Sequence, residues 1–173
     1  MATNIEIKAR VANMDRLQSL AEQISDTPCV ILDQEDVFFN TPQGRLKLRI
    51  LAPDSGQLIY YTRQDTAGPK RSDYTIYYTG EPDILRGVLT AAYGMRGVVR
   101  KQRRLYMVGN TRIHLDQVEG LGAFMELEVV LRPDQSDQQG QSVADGLMAR
   151  LGIREMDLVA AAYIDLLSDM GNL

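Results

Sequence analysis

The chain has 173 residues, 45% of them hydrophobic and 24% charged, which suits one globular domain, residues 1–173, with a real core. Its net charge of −4 and pI of about 5.0 argue against generic binding to nucleic acid. A single cysteine, Cys29, excludes an internal disulfide and fits a reducing cytoplasm; with one histidine it leaves too few ligands for a Cys/His zinc site, so any metal should be a hard cation held by carboxylates.

Met1-Ala2-Thr3 leads straight into Asn4-Ile5-Glu6-Ile7-Lys8-Ala9-Arg10, where polar and apolar residues alternate at the period of a half-buried strand. No signal peptide and no apolar run long enough for a membrane span is expected. Asn13 can cap a helix to about Ile24, with Leu17, Leu20, Ala21 and Ile24 at helical spacing. Strand two is expected over Cys29 to Phe39, closed by a turn at Asn40–Gly44, and strand three over Arg45 to Ile50. After Pro53-Asp54-Ser55-Gly56, Gln57 to Arg63 reads as strand four. Asp65 to Lys70 reads as loop and Asp73 to Tyr78 as strand five.

Pro82 can open a helix whose apolar face is Ile84, Leu85, Val88, Leu89 and Ala92, stopped at Gly94. Val98–Val108, Thr111–Val118 and Ala123–Leu131 then form a meander. Gly120-Leu121-Gly122 reads as a hairpin turn, because no helix follows that could complete a phosphate loop. Arg132 to Gly140 is polar loop, and two helices are expected near Ser142–Leu151 and Asp157–Leu167, divided by Gly152. Eight mostly antiparallel strands with helices between and after them predict an α+β fold, an eight-stranded closed or nearly closed sheet.

The charge pattern points further. Strand three puts Arg45, Lys47 and Arg49 on one face and Leu46, Leu48 and Ile50 on the other. Like charges at next-nearest positions, about 6.5 to 7 Å apart, repel by about 0.6 kcal/mol in water and about 2.4 kcal/mol at an effective dielectric of 20. A solvated face tolerates the first; a concave face needs an anion to offset the second. Lys101 and Arg103 repeat the basic device, and Arg63 ends strand four. Glu126 and Glu128, and Arg112, His114 and Asp116, alternate with apolar residues on the closing strands. A barrel with charge inside and apolar residues outside, under helices, would suit a triphosphate with a divalent metal. Solvent-exposed, salt-bridged strands remain the competing reading of the pattern alone.

These residues resemble the CYTH superfamily of class IV adenylyl cyclases, thiamine triphosphatases and inorganic triphosphatases. Asn4-Ile5-Glu6-Ile7-Lys8 is similar to its amino-terminal Glu-x-Glu-x-Lys strand, with asparagine in place of the first glutamate. Arg45-Leu46-Lys47-Leu48-Arg49, Lys101-Gln102-Arg103, His114-Leu115-Asp116 and Phe124-Met125-Glu126-Leu127-Glu128 follow in the family's order, so the resemblance covers about residues 4 to 131. It implies an eight-stranded antiparallel tunnel. It also implies Mg²⁺ or Mn²⁺ held by Glu6, Glu126 and Glu128, and a triphosphate such as ATP held by Lys8, Arg45, Lys47, Arg49, Arg63, Lys101 and Arg103. Asp116 and Lys8 would be catalytic. Asn4 keeps an oxygen ligand but removes a charge, which puts metal affinity or metal number in question. The class IV cyclase type is the expected activity, with inorganic or thiamine triphosphatase, or a non-catalytic nucleotide or polyphosphate binder, as alternatives. No nucleic-acid or membrane partner is expected, and a homodimer stays open. His114 reads as a general base or as a packed or rim residue, and Tyr163 as core.

Overall fold

The structure, a computed structural model, describes residues 1–171. Its eight strands are β1 (Ala2–Arg10), β2 (Val30–Phe39), β3 (Arg45–Ala52), β4 (Ser55–Arg63), β5 (Lys70–Thr79), β6 (Met95–Val108), β7 (Thr111–Val118) and β8 (Gly122–Val130). They close into a barrel in the order β1-β5-β4-β3-β2-β6-β7-β8, with every pairing antiparallel. Four helices, α1 (Met14–Ile24), α2 (Pro82–Tyr93), α3 (Asp137–Leu151) and α4 (Tyr163–Asp169), complete the fold.

The period-two pattern decides which residues face which way. Ile7 and Ala9 of β1, Ile113 and Leu115 of β7, and Met125 and Leu127 of β8 point outward into a core shared with Leu17 and Ala21 of α1 and Leu147, Met148 and Leu151 of α3. Ile5 and Val129 pack beside them under Ala144. Val37, Phe39 and Leu48 lie under Leu89 of α2. Helices therefore cover the outer faces of the strands that read as one-sidedly charged, and the charged faces turn into the lumen.

Caps agree with the sequence at several ends. The Arg16 amide donates to Asn13 Oδ1 at 2.9 Å, and Ser136 and Gln139 cap α3 reciprocally. That box starts α3 at Asp137, inside the stretch expected to be loop. Strand β5 likewise begins at Lys70, three residues before the expected Asp73.

The expected helix over Asp157–Leu167 is the main correction. A short 3₁₀ turn, Glu155–Asp157, gives way to extended chain, and α4 starts only at Tyr163. The Val159 amide donates to the Lys8 carbonyl at 2.8 Å, and Leu158 forms a bridge with Ala9. Pairing with the end of β1 supplies the hydrogen bonds that a helix would have supplied internally, and tertiary contact overrides the helical pattern.

Gly140 lets α3 sit directly on β1: a Cβ there would lie 2.6 Å from Leu131 Cδ2 and 2.7 Å from Ile5 Cγ1. Gly140→Val should therefore cost about 1–3 kcal/mol through overpacking of the helix that backs Glu6 and Lys8. Denaturant unfolding of both proteins checks it; equal stability would show that the helix moves away freely.

Candidate active site

The lumen is a cavity of about 300 Å³. Seven lysines and arginines line it (Lys8, Lys47, Arg49, Arg63, Lys101, Arg103 and Arg112) against four carboxylates, Glu6, Asp36, Glu126 and Glu128. Register explains how they meet. Lys8 stands opposite Glu126 and Glu6 opposite Glu128 across β1 and β8, and His114 stands opposite Glu126 across β7 and β8.

Three ion clusters organise the cavity. Asp36, 1% exposed, accepts from Lys47 at 3.0 Å, Lys101 at 2.8 Å and Arg49 at 2.7 and 2.9 Å. Arg103 donates to Asp116 at 2.7 and 2.5 Å and to Glu126 at 2.6 Å. Arg63 donates to Glu6 at 2.7 Å. The extended segment before α4 closes the lumen near Arg63, Lys8 and Asp116. Lys8 donates to the Ala161 carbonyl at 3.0 Å and Arg63 to the Ala160 carbonyl at 3.3 Å. Tyr163 donates its hydroxyl to Asp116 at 3.0 Å, and its ring lies 4.1 Å from Lys8 Nζ and 5.6 Å from Lys101 Nζ.

Excess positive charge shows in the titration of these groups. Burial pulls Lys47 down to about 7 despite the neighbouring Asp36. Burial also lowers Lys8 and Lys101. Burial alone would raise the carboxylates, but cations win. Arg49, Lys101 and Lys47 hold Asp36 well below the usual range, and Arg103 and Lys8 do so for Glu126. Glu128, beside His114, Arg112 and Arg103, is held at about 2. The lumen is thus an assembly of ionised carboxylates outnumbered by cations, ready for a polyanion.

Most residues singled out from the sequence meet here: Glu6, Lys8, Lys47, Arg49, Arg63, Lys101, Arg103, Glu126 and Glu128 all line the cavity. Two stand apart. Arg45 is taken by Asp65 at 2.6 Å and Asp165 at 3.2 Å and does not line the cavity. Asp116 is fully buried behind the wall, with both oxygens engaged by Arg103 and one also by Tyr163, so it orients those two side chains rather than reaching a ligand. Arg71 lies outside, paired with Asp73 and Asp137. His114 is buried, as a packed residue would be, and also lines the lumen beside Glu126 and Glu128. Tyr163 is buried but lines the cavity.

Asp36 is the residue that sequence reasoning missed. The signal was its parity with Gln34 and Phe38 on β2, obscured by the neighbouring acids Asp33 and Glu35, which face away from the lumen. Asn4, at the position of the family's first glutamate, lines the cavity at 4% exposure, and its Oδ1 has no hydrogen-bond partner among the described residues.

Comparison with known proteins places this arrangement. A family model, the CYTH domain, matches residues 2–163. The chain belongs to the CYTH domain family. The match ends at Tyr163 and so takes in every lumen residue described above. Adenylate cyclase CyaB of Aeromonas hydrophila is 25% identical over 92% of this chain and 85% of its own. The PH1012 protein of Pyrococcus horikoshii OT3 superposes with a TM-score of 0.84 at 25% identity, covering 94% of this chain and 98% of its own. Hippeastrum HpAC1, described as having a dominant triphosphatase activity, shares the fold at a TM-score of 0.68 and 16% identity, over 100% of this chain and 97% of its own.

The donor set also suits the divalent metal on which the CYTH family depends. His114, Glu126 and Glu128 offer ligand atoms within 4.8 Å of one another, and Glu6 stands beside Glu128 with its carboxylate held by Arg63.

Removing the charge of Asp36 tests the balance. Asp36→Asn leaves three buried cations without their counter-charge and should cost about 3–5 kcal/mol, less whatever Lys47 recovers by shedding its proton. Tripolyphosphate should then restore more stability to the variant than to the parent. Melting temperatures with and without tripolyphosphate check both; a variant as stable as the parent would show that the clamp is not electrostatic.

Proposed function

We propose that this chain is a metal-dependent enzyme acting on a nucleoside triphosphate, of the class IV adenylyl cyclase type, converting ATP to cyclic AMP and pyrophosphate. The observation that carries the triphosphate is the lumen's seven cations against four carboxylates. Support for a nucleotide comes from the same cavity. Leu32, Leu51, Tyr74, Ile76 and Leu105 also line it, as apolar and aromatic surface that a base could occupy.

In this reading Lys47, Arg49 and Lys101 exchange Asp36 for phosphate oxygens, arginine in a planar fork and lysine as a point charge. Lys8 of β1 comes from across the barrel, and Arg63 of β4 and Arg103 of β6 complete the ring. All are already oriented, by Asp36, Glu6, Asp116 or the Ala160 and Ala161 carbonyls, so little reorganisation is needed as charge moves onto the leaving pyrophosphate. Lys8, tied down by the Ala161 carbonyl and the Tyr163 ring, is placed to stabilise that charge. A divalent ion on Glu126 and Glu128, with Glu6 beside them, would lower the pKa of the attacking ribose 3′-hydroxyl and polarise the α-phosphate. Hydrolysis by the same cage is the second reading, favoured because the cations recognise a triphosphate whether or not a base is attached. HpAC1 carries a dominant triphosphatase activity on this fold.

Incubation with ATP and with tripolyphosphate, each with Mg²⁺ or Mn²⁺, separates the two. Cyclic AMP and pyrophosphate are expected from ATP; orthophosphate release from both substrates would make the chain a triphosphatase. Leu105→Asn should weaken ATP binding at least tenfold and leave tripolyphosphate binding within about twofold, because only the base needs apolar surface and the change adds no charge. Lys101→Ala should weaken both by well over tenfold. The Lys47 value of about 7 adds a pH signature. Above that pH the empty site holds Lys47 mostly neutral, and a bound polyanion raises its pKa, so binding at pH 8 should take up protons. Calorimetry in two buffers of different ionisation enthalpy measures the uptake; none would mean that Lys47 does not face the anion.

A further inference from the structure

The three clusters above, with Arg112 on Glu128, pair every lumen carboxylate with a cation, yet a nitrogen beside two of those carboxylates has no partner. His114 is 4% exposed, and its Nδ1 makes no hydrogen bond among the described residues. The atom is not turned toward apolar surface. It lies 3.8 Å from Glu126 Oε2 and 3.9 Å from Glu128 Oε1. Both distances are too long for a hydrogen bond. As an N–H donor the nitrogen would reach neither acceptor; as a bare lone pair it would face two carboxylates with nothing between. A buried nitrogen in either condition costs free energy.

A cation among the three resolves it. The three donor atoms lie within 4.8 Å of one another, so one ion bonded at about 2.1–2.3 Å can contact Nδ1 and both oxygens after small side-chain shifts. The carboxylates are prepared for this. Glu128 spends Oε2 on Arg112 at 2.7 Å and leaves Oε1 toward His114. Glu126 is anchored by Arg103 at 2.6 Å through the oxygen nearest His114, which has lone-pair capacity for a second partner. Backbone register fixes the arrangement, because His114 and Glu126 are directly opposite on β7 and β8, and Glu128 is two residues along on the same face.

We propose that His114 is a ligand of the divalent ion through Nδ1, with Glu126 and Glu128, giving a mixed nitrogen and oxygen site. Resting on the metal-dependent reading above, this makes the site one that selects its ion. An imidazole nitrogen favours Co²⁺, Ni²⁺ or Zn²⁺ over Mg²⁺, Ca²⁺ and Mn²⁺, which suit oxygen ligands. A carboxylate-only site lacks the added preference that nitrogen supplies.

The test needs neither substrate nor turnover. His114 is the only histidine, so any imidazole signal from tag-free protein reports on it alone. Mn²⁺ added to the full chain should give nitrogen-14 modulation in electron spin echo spectra. Co²⁺ should bind at least tenfold more tightly than Mg²⁺ in competition titrations, by a ratio that falls in His114→Gln. In His114→Gln the modulation should vanish and Mn²⁺ affinity fall at least tenfold. Mn²⁺ bound without nitrogen modulation in the parent would overturn the proposal, and needs no variant to fold. Equal Mn²⁺ affinity of a folded His114→Gln would overturn it as well. Failure of the triphosphate reading looks different: nitrogen-coordinated Mn²⁺ with no binding or turnover of ATP or tripolyphosphate.

Discussion

Asp36 holds three cations within 3.0 Å of a carboxylate that water scarcely reaches, and the lumen depends on that contact. Charges of one sign on alternate residues of a strand are stable when the face is wet. Closing the sheet turns that face inward and lowers the dielectric, so repulsions between neighbours on β3 and β6 grow severalfold. Desolvation adds several kcal/mol per ion. A single carboxylate placed between β3 and β6 offsets repulsion along both strands at once. It does so incompletely: burial, with Arg49 and Lys101 nearby, outweighs Asp36 and brings Lys47 down to about 7. Incomplete compensation is what gives a tunnel affinity for an anion: a lumen with balanced charge would be more stable and would bind less.

The closed end follows the same logic with different donors. Lys8 and Arg63 point at a chain segment with no acidic side chain between 158 and 162, and are met by the Ala160 and Ala161 carbonyls instead. Those carbonyls are available only because the segment is extended; in a helix they would be committed to amides four residues on. The Lys8 residue secures this twice, its carbonyl accepting from Val159 and its ammonium donating to Ala161. One residue of β1 therefore holds the plug and belongs to the cage, so the fold at this end and the site are the same set of bonds.

The strands were legible in sequence where one face carries charge and the other apolar residues, as in β1, β3 and β8; there parity alone gave the direction of Glu6, Lys47, Arg49, Glu126 and Glu128. It failed for β2. Asp33, Glu35 and Asp36 put acids on both faces, and only the closed barrel shows which of them is buried. It failed again at residues 158–162, where Leu158 to Ala162 fit a helical pattern but the hydrogen bonds that decide the conformation go to β1, some 150 residues earlier. Tyr163 was legible as buried. That its hydroxyl donates to Asp116 and its ring underlies Lys8 depends on where the plug enters, which no local pattern encodes.

Asp116 and Glu126 show how environment divides roles among similar acids. They share Arg103 and lie on adjacent strands with the same parity. Asp116 has no exposed surface, gives both oxygens to Arg103 and also accepts from Tyr163, so its lone pairs are committed to neighbours. Glu126 stands further along the lumen, meets Lys8 only at 3.5 Å, and faces His114 across an open gap. A ligand ion gains little from an oxygen that must first release two charge-assisted hydrogen bonds; it gains more from one whose partners sit to one side. The deeper acid is therefore a fixed support that aims Arg103 and Tyr163, and the outer one keeps the capacity to bind. Chemistry in this lumen is set by which carboxylates the fold leaves under-satisfied.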